Sequence, residues 1–288
     1  MKFLLESSDK VLKLIEVFKI VKSLGSHCTL FCNSEYIYIQ CMDGSHICLF
    51  DVKIMKEWFE VYECENETIS FMSSAIVKIL SLYTPKTKVS MDTDGKQEHL
   101  NIELEYADGI NKYFKLPLMD IDMDLLEPGE NDYSMEFTIK TKTMDKYINE
   151  LALFGESLSI KSKNDKLIMK TSGSDGSSMI NVPHENLEEF VVEEDLNLNV
   201  KVDLKYISHI TKIYCVFKTM NIKVDSQFPL CVSFAEYKTS DTDNSEEDTE
   251  ETDPLLKIVY FVAPKTLDDD ECGDSDDESF GENEVIED

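Results

Sequence analysis

Apolar residues recur along the chain with two different periods, and each period predicts its own kind of element. Short runs with alternating or wholly apolar positions are typical of β-strands; examples are HCTLFCN, YIYIQCM, HICLFDV, PLCVSFAEY and LKIVYFV. Four longer segments place an apolar residue on one helical face at each turn. They predict helices at residues 9–23, 73–83, 141–154 and 203–214.

The order of these elements is helix, strands, helix, strands, and the same order then occurs once more. The repeat is roughly 130 residues long, which is far longer than the period of a solenoid. A chain of 288 residues is also long enough for two cores of ordinary domain size. We therefore predict an α+β protein that contains two similar domains.

Acidic residues dominate the composition, but they are unevenly distributed. The formal net charge is -30. Residues 240–253 hold eight acids and residues 266–288 hold twelve, and neither segment contains a lysine or arginine. Both segments lack the apolar residues that would repay ordering, so we expect them to be disordered. Without these twenty acids the folded body has a net charge of only -10.

The four predicted helices are basic, in contrast to the rest of the chain. They carry nine lysines against five acids, and His209 lies on the outer stripe of the last helix. A single basic helix is usually a solvated surface, but four at matching places predict one surface for a polyanion. Lysines without interleaved arginine or aromatic residues contact phosphates and do not read bases. The nine lysines are Lys10, Lys13, Lys19, Lys22, Lys78, Lys142, Lys146, Lys205 and Lys212.

The sequence offers little support for catalysis or for a metal site. The glycine-rich segment GSDGSS at 173–178 lacks the lysine of a phosphate-binding loop, and no HExxH motif is present. The segment from residue 27 to residue 48 holds several histidines and cysteines but no CxxC pair, so zinc binding is not favoured. The cysteines lie in apolar runs, as expected of reduced thiols inside a cell. We predict no catalytic residue, no metal and no cofactor.

Four segments carry a resemblance to a known family. They are QCMDGSHICLF at 40–50, LMDIDMDLLEPGENDYS at 118–134, FPLCVSFAEY at 228–237 and VAPK at 262–265. In this order and at this spacing they resemble the sliding clamps of the proliferating cell nuclear antigen (PCNA) family. The resemblance covers nearly the whole predicted folded length, apart from the acidic insertion at 240–253.

The resemblance implies a homotrimeric ring of the DNA-clamp fold, with helices on the inner face and antiparallel sheets outside. It divides the chain into an N-terminal domain at 1–117, a connector at 118–134 and a C-terminal domain at 135–265, followed by the acidic tail. The ring would encircle duplex DNA without sequence preference and act as a polymerase processivity factor. The nine helix lysines and His209 would then face DNA.

The resemblance also implies a pocket for partner proteins beside the connector. DNA polymerase, the clamp loader and other clients would insert a short peptide with a glutamine, an aliphatic residue and two aromatics. Aromatic anchors in an apolar pocket are where such an interface concentrates its binding energy. The pocket positions are Met42, His46, Ile47, Leu49, Leu126, Pro128, Pro229, Phe261, Ala263 and Pro264.

Contacts between subunits are expected where two edge strands meet. INKYFKL at 110–116 of one subunit would pair with SSMINVP at 177–183 of the next, which would remove exposed backbone groups. The expected interface residues are Lys112, Phe114, Met179 and Ile180.

Three positions depart from the family pattern. Pro128 stands where the family usually keeps an aliphatic residue, and Phe261 lacks the hydroxyl of the tyrosine common there. Asn164 aligns with the lysine that eukaryotic members use for ubiquitin attachment. Such divergence would suit a protein of a large DNA virus or of a divergent eukaryote. The protein would then act in the nucleus or in a viral replication compartment.

Two other functions stay open at this point. The chain could be a clamp-like checkpoint or accessory subunit that forms no homotrimer, which a mass measurement would reveal. A metal-dependent nuclease that uses the acidic runs is the other alternative, and a magnesium-dependent cleavage assay would expose it.

Overall fold

The computed structural model describes residues 1–93, 98–129, 131–163, 166–193, 196, 198–238 and 253–265. Asn164, the acidic tail and all but Asp253 of the acidic insertion lie outside these residues. Four helices are present in the described part: α1 (Ser8–Leu24), α2 (Ser73–Leu80), α3 (Thr141–Leu151) and α4 (Leu204–Thr211). None of them is long and apolar enough to cross a membrane.

The first half of the chain contributes nine strands: β1 (Lys2–Leu5), β2 (His27–Asn33), β3 (Tyr36–Met42), β4 (Cys48–Met55), β5 (Val61–Glu63), β6 (Asn66–Met72), β7 (Lys88–Thr93), β8 (His99–Glu105) and β9 (Asn111–Pro117). The second half contributes another nine: β10 (Met135–Lys140), β11 (Ser157–Lys163), β12 (Lys166–Gly173), β13 (Gly176–Pro183), β14 (Glu189–Val192), β15 (Leu198–Asp203), β16 (Thr219–Val224), β17 (Leu230–Glu236) and β18 (Leu256–Val262).

The strands form three antiparallel sheets, and the largest sheet joins the two halves. Its order is β14-β10-β16-β17-β18-β4-β3-β2-β6. The joint is the pairing of β18 with β4, which runs in register from Leu256 opposite Ile54 to Val262 opposite Cys48. The last strand of the described chain therefore lies directly beside the first half.

The helices lie where the apolar period predicts them. On α1 the predicted apolar residues Val11, Leu14, Phe18 and Val21 are buried, because they share the face that packs on the sheets. The predicted ends of the last three helices extend too far. In the last segment, for example, α4 ends at Thr211 and a 3-10 turn follows at Lys212–Cys215.

The four helices form one layer. Helix α1 packs against α2, and α3 packs against α4. Residues of α1 and α4 line a common cavity of about 440 Å³. The order across the layer is therefore α2-α1-α4-α3, so both halves present their helices side by side.

Two smaller sheets end in strands whose outer edges face no other described strand. In the five-stranded sheet, β5-β1-β7-β8-β9, the strand β9 is at one end. In the four-stranded sheet, β13-β12-β11-β15, the strand β13 is at one end. Free strand edges carry unpaired backbone groups and are sites where another chain can pair.

Candidate DNA-facing helices and partner pocket

Most of the lysines predicted to face DNA are exposed on the helix layer. The exposed members of the predicted set are Lys19, Lys22, Lys78, Lys142, Lys146, Lys205, His209 and Lys212. They come from all four helices, apart from Lys212, which begins the turn after α4. The predicted basic residues thus share one layer, as a surface for a polyanion requires.

Four of these lysines have carboxylate partners. The Nζ–oxygen distances are 2.7 Å for Lys19–Glu16, 3.7 Å for Lys146–Glu150, 3.6 Å for Lys205–Asp203 and 3.0 Å for Lys212–Asp145. Each lysine side chain is at least half exposed, so solvent screens these pairs and they contribute little to stability. Such ammonium groups can exchange a carboxylate for a phosphate at low cost.

Three other lysines carry no such restraint. Lys22, Lys78 and Lys142 are exposed, and the described part of the chain gives them no ion pair. They come from three different helices, α1, α2 and α3. Their positive charge is therefore the least compensated on the helix layer.

The structure corrects the prediction for Lys13, whose residue is only 8% exposed. Its ammonium donates hydrogen bonds to Asp9 Oδ2 at 2.6 Å and to Glu236 Oε2 at 3.0 Å. Burial lowers the pKa of Lys13, but the hydrogen bonds to the two carboxylates outweigh it and the net pKa is raised. Lys13 is consequently a structural cation that joins the halves and is removed from the DNA-facing set.

Lys10 is also weakened as a DNA contact. Its side chain is 23% exposed, its ammonium pairs with Glu60 at 3.1 Å, and it lies 6.0 Å from the centre of the Trp58 ring. An ammonium held by a carboxylate and an aromatic face has less freedom to follow a phosphate. The lysines in the first turns of α1 are therefore engaged with the protein, and the exposed lysines lie in its later turns.

Nine of the ten predicted pocket residues line one cavity of about 360 Å³. They come from three places in the sequence: the turn between β3 and β4, the connector, and the strands β17 and β18 with their flanks. The exception is Pro264, which is exposed and does not line the cavity. The pocket lining is Met42, His46, Ile47, Leu49, Leu126, Glu127, Pro128, Gly129, Asn131, Pro229, Phe261 and Ala263.

Asp43 builds the turn that carries one wall of this pocket. Its carboxylate accepts backbone hydrogen bonds from Ile47 at 2.8 Å and from Cys48 at 2.7 Å. These bonds hold the turn in which His46 adopts a φ of 57°, a conformation that is uncommon outside glycine. Asp43 also accepts the hydroxyl hydrogen of Tyr206 at 2.8 Å, which ties the turn to α4.

The ionised form of Asp43 is favoured by these donors. Partial burial raises the pKa of the carboxyl, but the hydrogen bonds from Cys48, Tyr206, Ile47 and Ser45 outweigh burial and lower it. Hydrogen bonds to a carboxylate stabilise its charged form. The turn is thus organised around a permanent negative charge at neutral pH.

The connector is held on both sides of the pocket. The side-chain amide of Gln40 donates to Leu126 O and accepts from Leu126 N, both at 2.8 Å. Further along, the Tyr133 hydroxyl donates to Pro229 O at 3.1 Å. The opposite wall is fixed by Ala263 N, which donates to Ile47 O at 2.8 Å. Leu126 is 48% exposed between these anchors and forms an apolar rim.

The predicted subunit-interface residues lie on two free-edged strands. Lys112 and Phe114 lie on β9, and Met179 and Ile180 lie on β13. Phe114 and Ile180 are partly buried against the core. Tyr113, which the sequence pattern does not single out, is 71% exposed on β9. The assignment of these residues to an interface stays a prediction.

No metal cluster is present among the residues with described positions. The cysteines between β2 and β4 include Cys28 and Cys48, which are buried as free thiols. Burial raises the pKa of Cys48 to about 12, with further contributions from the charges of Asp43 and Cys41. Cys48 is therefore an uncharged thiol at neutral pH.

Comparisons with known proteins agree with these features. Residues 5–127 match the family described as "Proliferating cell nuclear antigen, N-terminal domain". The chain is 26% identical over 275 residues to "Probable DNA polymerase sliding clamp 2" of Paramecium bursaria Chlorella virus 1. This alignment covers 95% of this chain and 93% of the relative. The chain is thus similar to PCNA-family sliding clamps over most of its length. It is also 25% identical over 228 residues to the proliferating cell nuclear antigen of Chaetomium thermophilum, covering 76% of this chain and 88% of that one.

Solved structures confirm the PCNA fold. PCNA of Thermococcus kodakaraensis matches with a TM-score of 0.77 at 16% identity, and a PCNA2-PCNA3 complex of Sulfolobus tokodaii matches with 0.76 at 18%. Each match covers 92% of this chain and 99% of the other. The predicted α+β class, with few helices and antiparallel sheets, is therefore confirmed.

Proposed function

We propose that three copies of this chain close into a ring around duplex DNA and serve as a sliding clamp for a replicative polymerase. The role is one of binding, with no catalytic residue assigned. The observation that carries the proposal is the single helix layer α2-α1-α4-α3, whose exposed lysines come from both halves of the chain. Phosphate contacts of this kind are independent of base sequence.

Ring closure would use the free edges of β9 and β13. The two strands lie at the ends of different sheets, one from each half, so a head-to-tail contact between copies can repeat until it closes. Pairing would satisfy backbone groups that otherwise remain unpaired in the described chain. Closure by three copies gives twelve helices around the central hole.

Clients would bind through the pocket beside the connector. Its walls are mainly apolar, and Leu126 and Phe261 lie where aromatic anchors of a peptide would pack. Pro128 forms part of the wall, where it adds rigidity and removes a backbone donor. The proposed ligand is a peptide with a glutamine, an aliphatic residue and two aromatics, carried by polymerase, clamp loader and other replication proteins. We propose the nucleus or a viral replication compartment as the site of action.

Two measurements test this function. Native mass at micromolar concentration should give three times the chain mass of 33.1 kDa. Addition of the loaded protein should lengthen the products of a replicative polymerase on primed circular DNA, and cutting the circle should release the protein. A protein that remains monomeric, or that stays on cut DNA equally well, would refute encirclement. A stable assembly only with a second, different clamp chain would favour the accessory-subunit alternative.

A further inference from the structure

A second cavity lies between the two halves of the chain, apart from the pocket beside the connector. Its volume is about 440 Å³, which is within the roughly 300–1,000 Å³ of small-molecule sites. Helices α1 and α4 each supply one wall, and the turn between β3 and β4 supplies a third. Strand β18 contributes one residue, Tyr260. We call this space the inter-half cavity.

The hydroxyl of Tyr260 lies at the wall of this cavity. The residue is 2% exposed, and its ring packs near Phe50 and Phe234, at centroid distances of 4.9 Å and 6.4 Å. Burial raises the pKa of Tyr260, with smaller contributions from the neighbouring Cys48 and Glu16. Both of these neighbours line the inter-half cavity, so the hydroxyl lies on the cavity side of the ring.

This hydroxyl has no hydrogen-bond partner among the described residues. Nearly all buried polar atoms in folded proteins are hydrogen-bonded, and an unsatisfied one costs stability. Of the five such side-chain atoms in the described chain, the Tyr260 oxygen is the one whose residue lines this cavity. Its raised pKa keeps it protonated at neutral pH, so it offers a donor that an acceptor atom in the cavity would satisfy.

Lysines mark the opening of the cavity to solvent. Lys19 of α1 and Lys205 of α4 are both exposed and both line it. Their partners are the carboxylates of Glu16 at 2.7 Å and Asp203 at 3.6 Å, and such exposed pairs are weak enough for an incoming anion to replace. The other acid of the lining, Asp43, already accepts four hydrogen bonds, which reduces its repulsion of an anion.

Part of the wall between the helices is apolar or aromatic. Ile20 and Leu24 come from α1, and Ile210 comes from α4. Tyr206 and Tyr260 add two aromatic rings, and aromatic groups pack favourably on such rings in offset or edge-to-face contacts. The walls therefore suit a ligand with a ring-shaped apolar body.

We propose that the inter-half cavity binds a small aromatic anion that carries a hydrogen-bond acceptor away from its acidic group. The acidic group would pair with Lys19 and Lys205, the ring would pack on the apolar wall, and the acceptor would take the hydrogen of the Tyr260 hydroxyl. The site lies within one chain and is independent of the proposed clamp function. Because both lysines also belong to the helix layer, this anion and a polyanion on that layer should weaken each other's binding.

Three naphthalene compounds test each contact in the full chain. A hydroxynaphthalene sulfonate with its two groups on opposite rings carries both the anion and the oxygen. Naphthalene sulfonate lacks the hydroxyl, and naphthol lacks the anion. Calorimetric titration should show the first compound bound most tightly, and loss of the hydroxyl should weaken binding roughly two- to tenfold, as expected for one hydrogen bond. Added salt should weaken the two sulfonates and leave naphthol unchanged.

Matched variants assign the contacts to residues. Tyr260→Phe removes only the hydroxyl, so the advantage of the hydroxynaphthalene sulfonate over naphthalene sulfonate should vanish. Tyr83→Phe should keep that advantage, because it removes another unsatisfied buried hydroxyl that does not line the cavity. Lys19→Gln should weaken both sulfonates several-fold. Lys22→Gln, on the same helix but outside the lining, should leave their affinities unchanged.

Two controls separate this site from a general disturbance and from the other pocket. Urea denaturation should give Tyr260→Phe at least the free energy of unfolding of the parent, since the substitution removes an unsatisfied group. Leu126→Asp should not alter binding of the three compounds, because Leu126 lines the pocket beside the connector and not this cavity. Equal affinities of the parent for all three compounds, a hydroxyl advantage that survives in Tyr260→Phe, or binding lost in Leu126→Asp would overturn the proposal.

Discussion

Lys13 is held between carboxylates from opposite halves of the chain. Asp9 lies one turn earlier on α1, whereas Glu236 ends β17, 223 residues away. The same Glu236 carboxylate accepts from Trp58 Nε1 at 3.1 Å. A buried cation that pairs with a partly buried carboxylate is costly to remove, since the remaining charge loses its partner.

The first prediction concerns this ion pair. Lys13→Ala should lower the free energy of unfolding by about 2 kcal/mol, the range for hydrogen bonds to charged groups, with some loss spared because Asp9 is 64% exposed. Urea denaturation measures the difference. Lys22→Ala on the same helix should change the free energy of unfolding little, yet it should weaken DNA binding. For the DNA comparison Lys13 is replaced by glutamine, and Lys13→Gln should leave DNA binding unchanged. Equal effects of the two lysines on DNA binding would return Lys13 to the DNA-facing set.

The sequence could not have separated these two lysines. On the helical projection Lys13 lies opposite the apolar stripe, as a solvent-facing lysine does. Its burial depends on Glu236, which lies at the end of β17 in the other half of the chain and contacts α1 only in the folded protein. Helix periodicity reports which face packs on its own sheet, and it contains no information on a partner from the other half.

At the level of elements, the turn between β3 and β4 links the pocket to the helix layer. Asp43 bonds to the backbone of the turn and to the Tyr206 hydroxyl on α4. The pocket wall formed by His46 and Ile47 therefore depends on one carboxylate.

The second prediction is that Asp43→Asn weakens the binding of the client peptide. An amide oxygen accepts these hydrogen bonds less strongly than a carboxylate, roughly half as strongly for a neutral acceptor, so the turn loosens. Calorimetric titration with a glutamine-aliphatic-diaromatic peptide should give a lower affinity, with trimer mass unchanged. Tyr206→Phe, which removes only one of the donors, should have a smaller effect. An unaltered affinity in Asp43→Asn would separate the turn from peptide binding.

The same carboxylate predicts a pH dependence. The folded pKa of Asp43 lies below the ordinary value of 3.8, so its contribution to stability is complete above that value. It is lost as pH falls through the lower folded pKa, where the carboxylate must accept a proton. The parent should therefore lose more stability than Asp43→Asn between neutral pH and pH 3 in urea denaturation. Parallel losses in the two proteins would mean that Asp43 adds nothing to acid sensitivity.

The fourth prediction tests the pocket rim at Leu126. Leu126→Asp places a charge where an aromatic anchor would pack, and an unpaired buried charge costs several kcal/mol, about 3 or more. Peptide binding should fall below detection by calorimetry, while Gln40 still holds the connector backbone. Leu125→Asp, a neighbour that does not line the cavity, is the matched control. Comparable losses from both substitutions would point to a general disturbance of the connector.

The pocket could be predicted from the sequence because most of its residues lie in contiguous motifs. The turn at Met42 to Leu49 and the ends of β17 and β18 are each read locally, and the pairing of β18 with β4 places Phe261 opposite Leu49. Pro264 does not line the cavity, and the residue after it, Lys265, bonds to β15, so its role in the pocket stays a prediction.

On the scale of the whole molecule, charge is sorted by surface. Lysines gather on the helix layer, while twenty of the fifty-eight acids lie in two short segments. A net charge of -30 repels DNA at long range. Local positive charge on the helix layer can bind phosphates only at short distance, since screening removes its effect beyond about 10 Å. Such a molecule should hold DNA that is threaded through it better than DNA that approaches from outside.

The last prediction concerns the assembled protein and uses the three lysines without ion pairs. Reversal of Lys22, Lys78 and Lys142 to Glu would put nine acids in each trimer where nine lysines stood. These side chains are exposed and have no acidic partner in the described chain, so folding, trimer mass and peptide affinity should stay as in the parent. Lys212 is left intact, because it also bonds to Asp145 and Asn149 of α3.

The triple variant should no longer stimulate a polymerase on primed circular DNA at ordinary salt. The salt slope of DNA binding should fall by about 0.9 for each phosphate that a lysine no longer neutralises. Reversal of Lys2, Lys238 and Lys257, which are exposed outside the helices, changes the net charge equally and should preserve most of the stimulation. If the two triple variants behave alike, net charge decides the effect and the helix lysines are solvated side chains. If only the helix variant fails, the phosphates are bound from the helix layer.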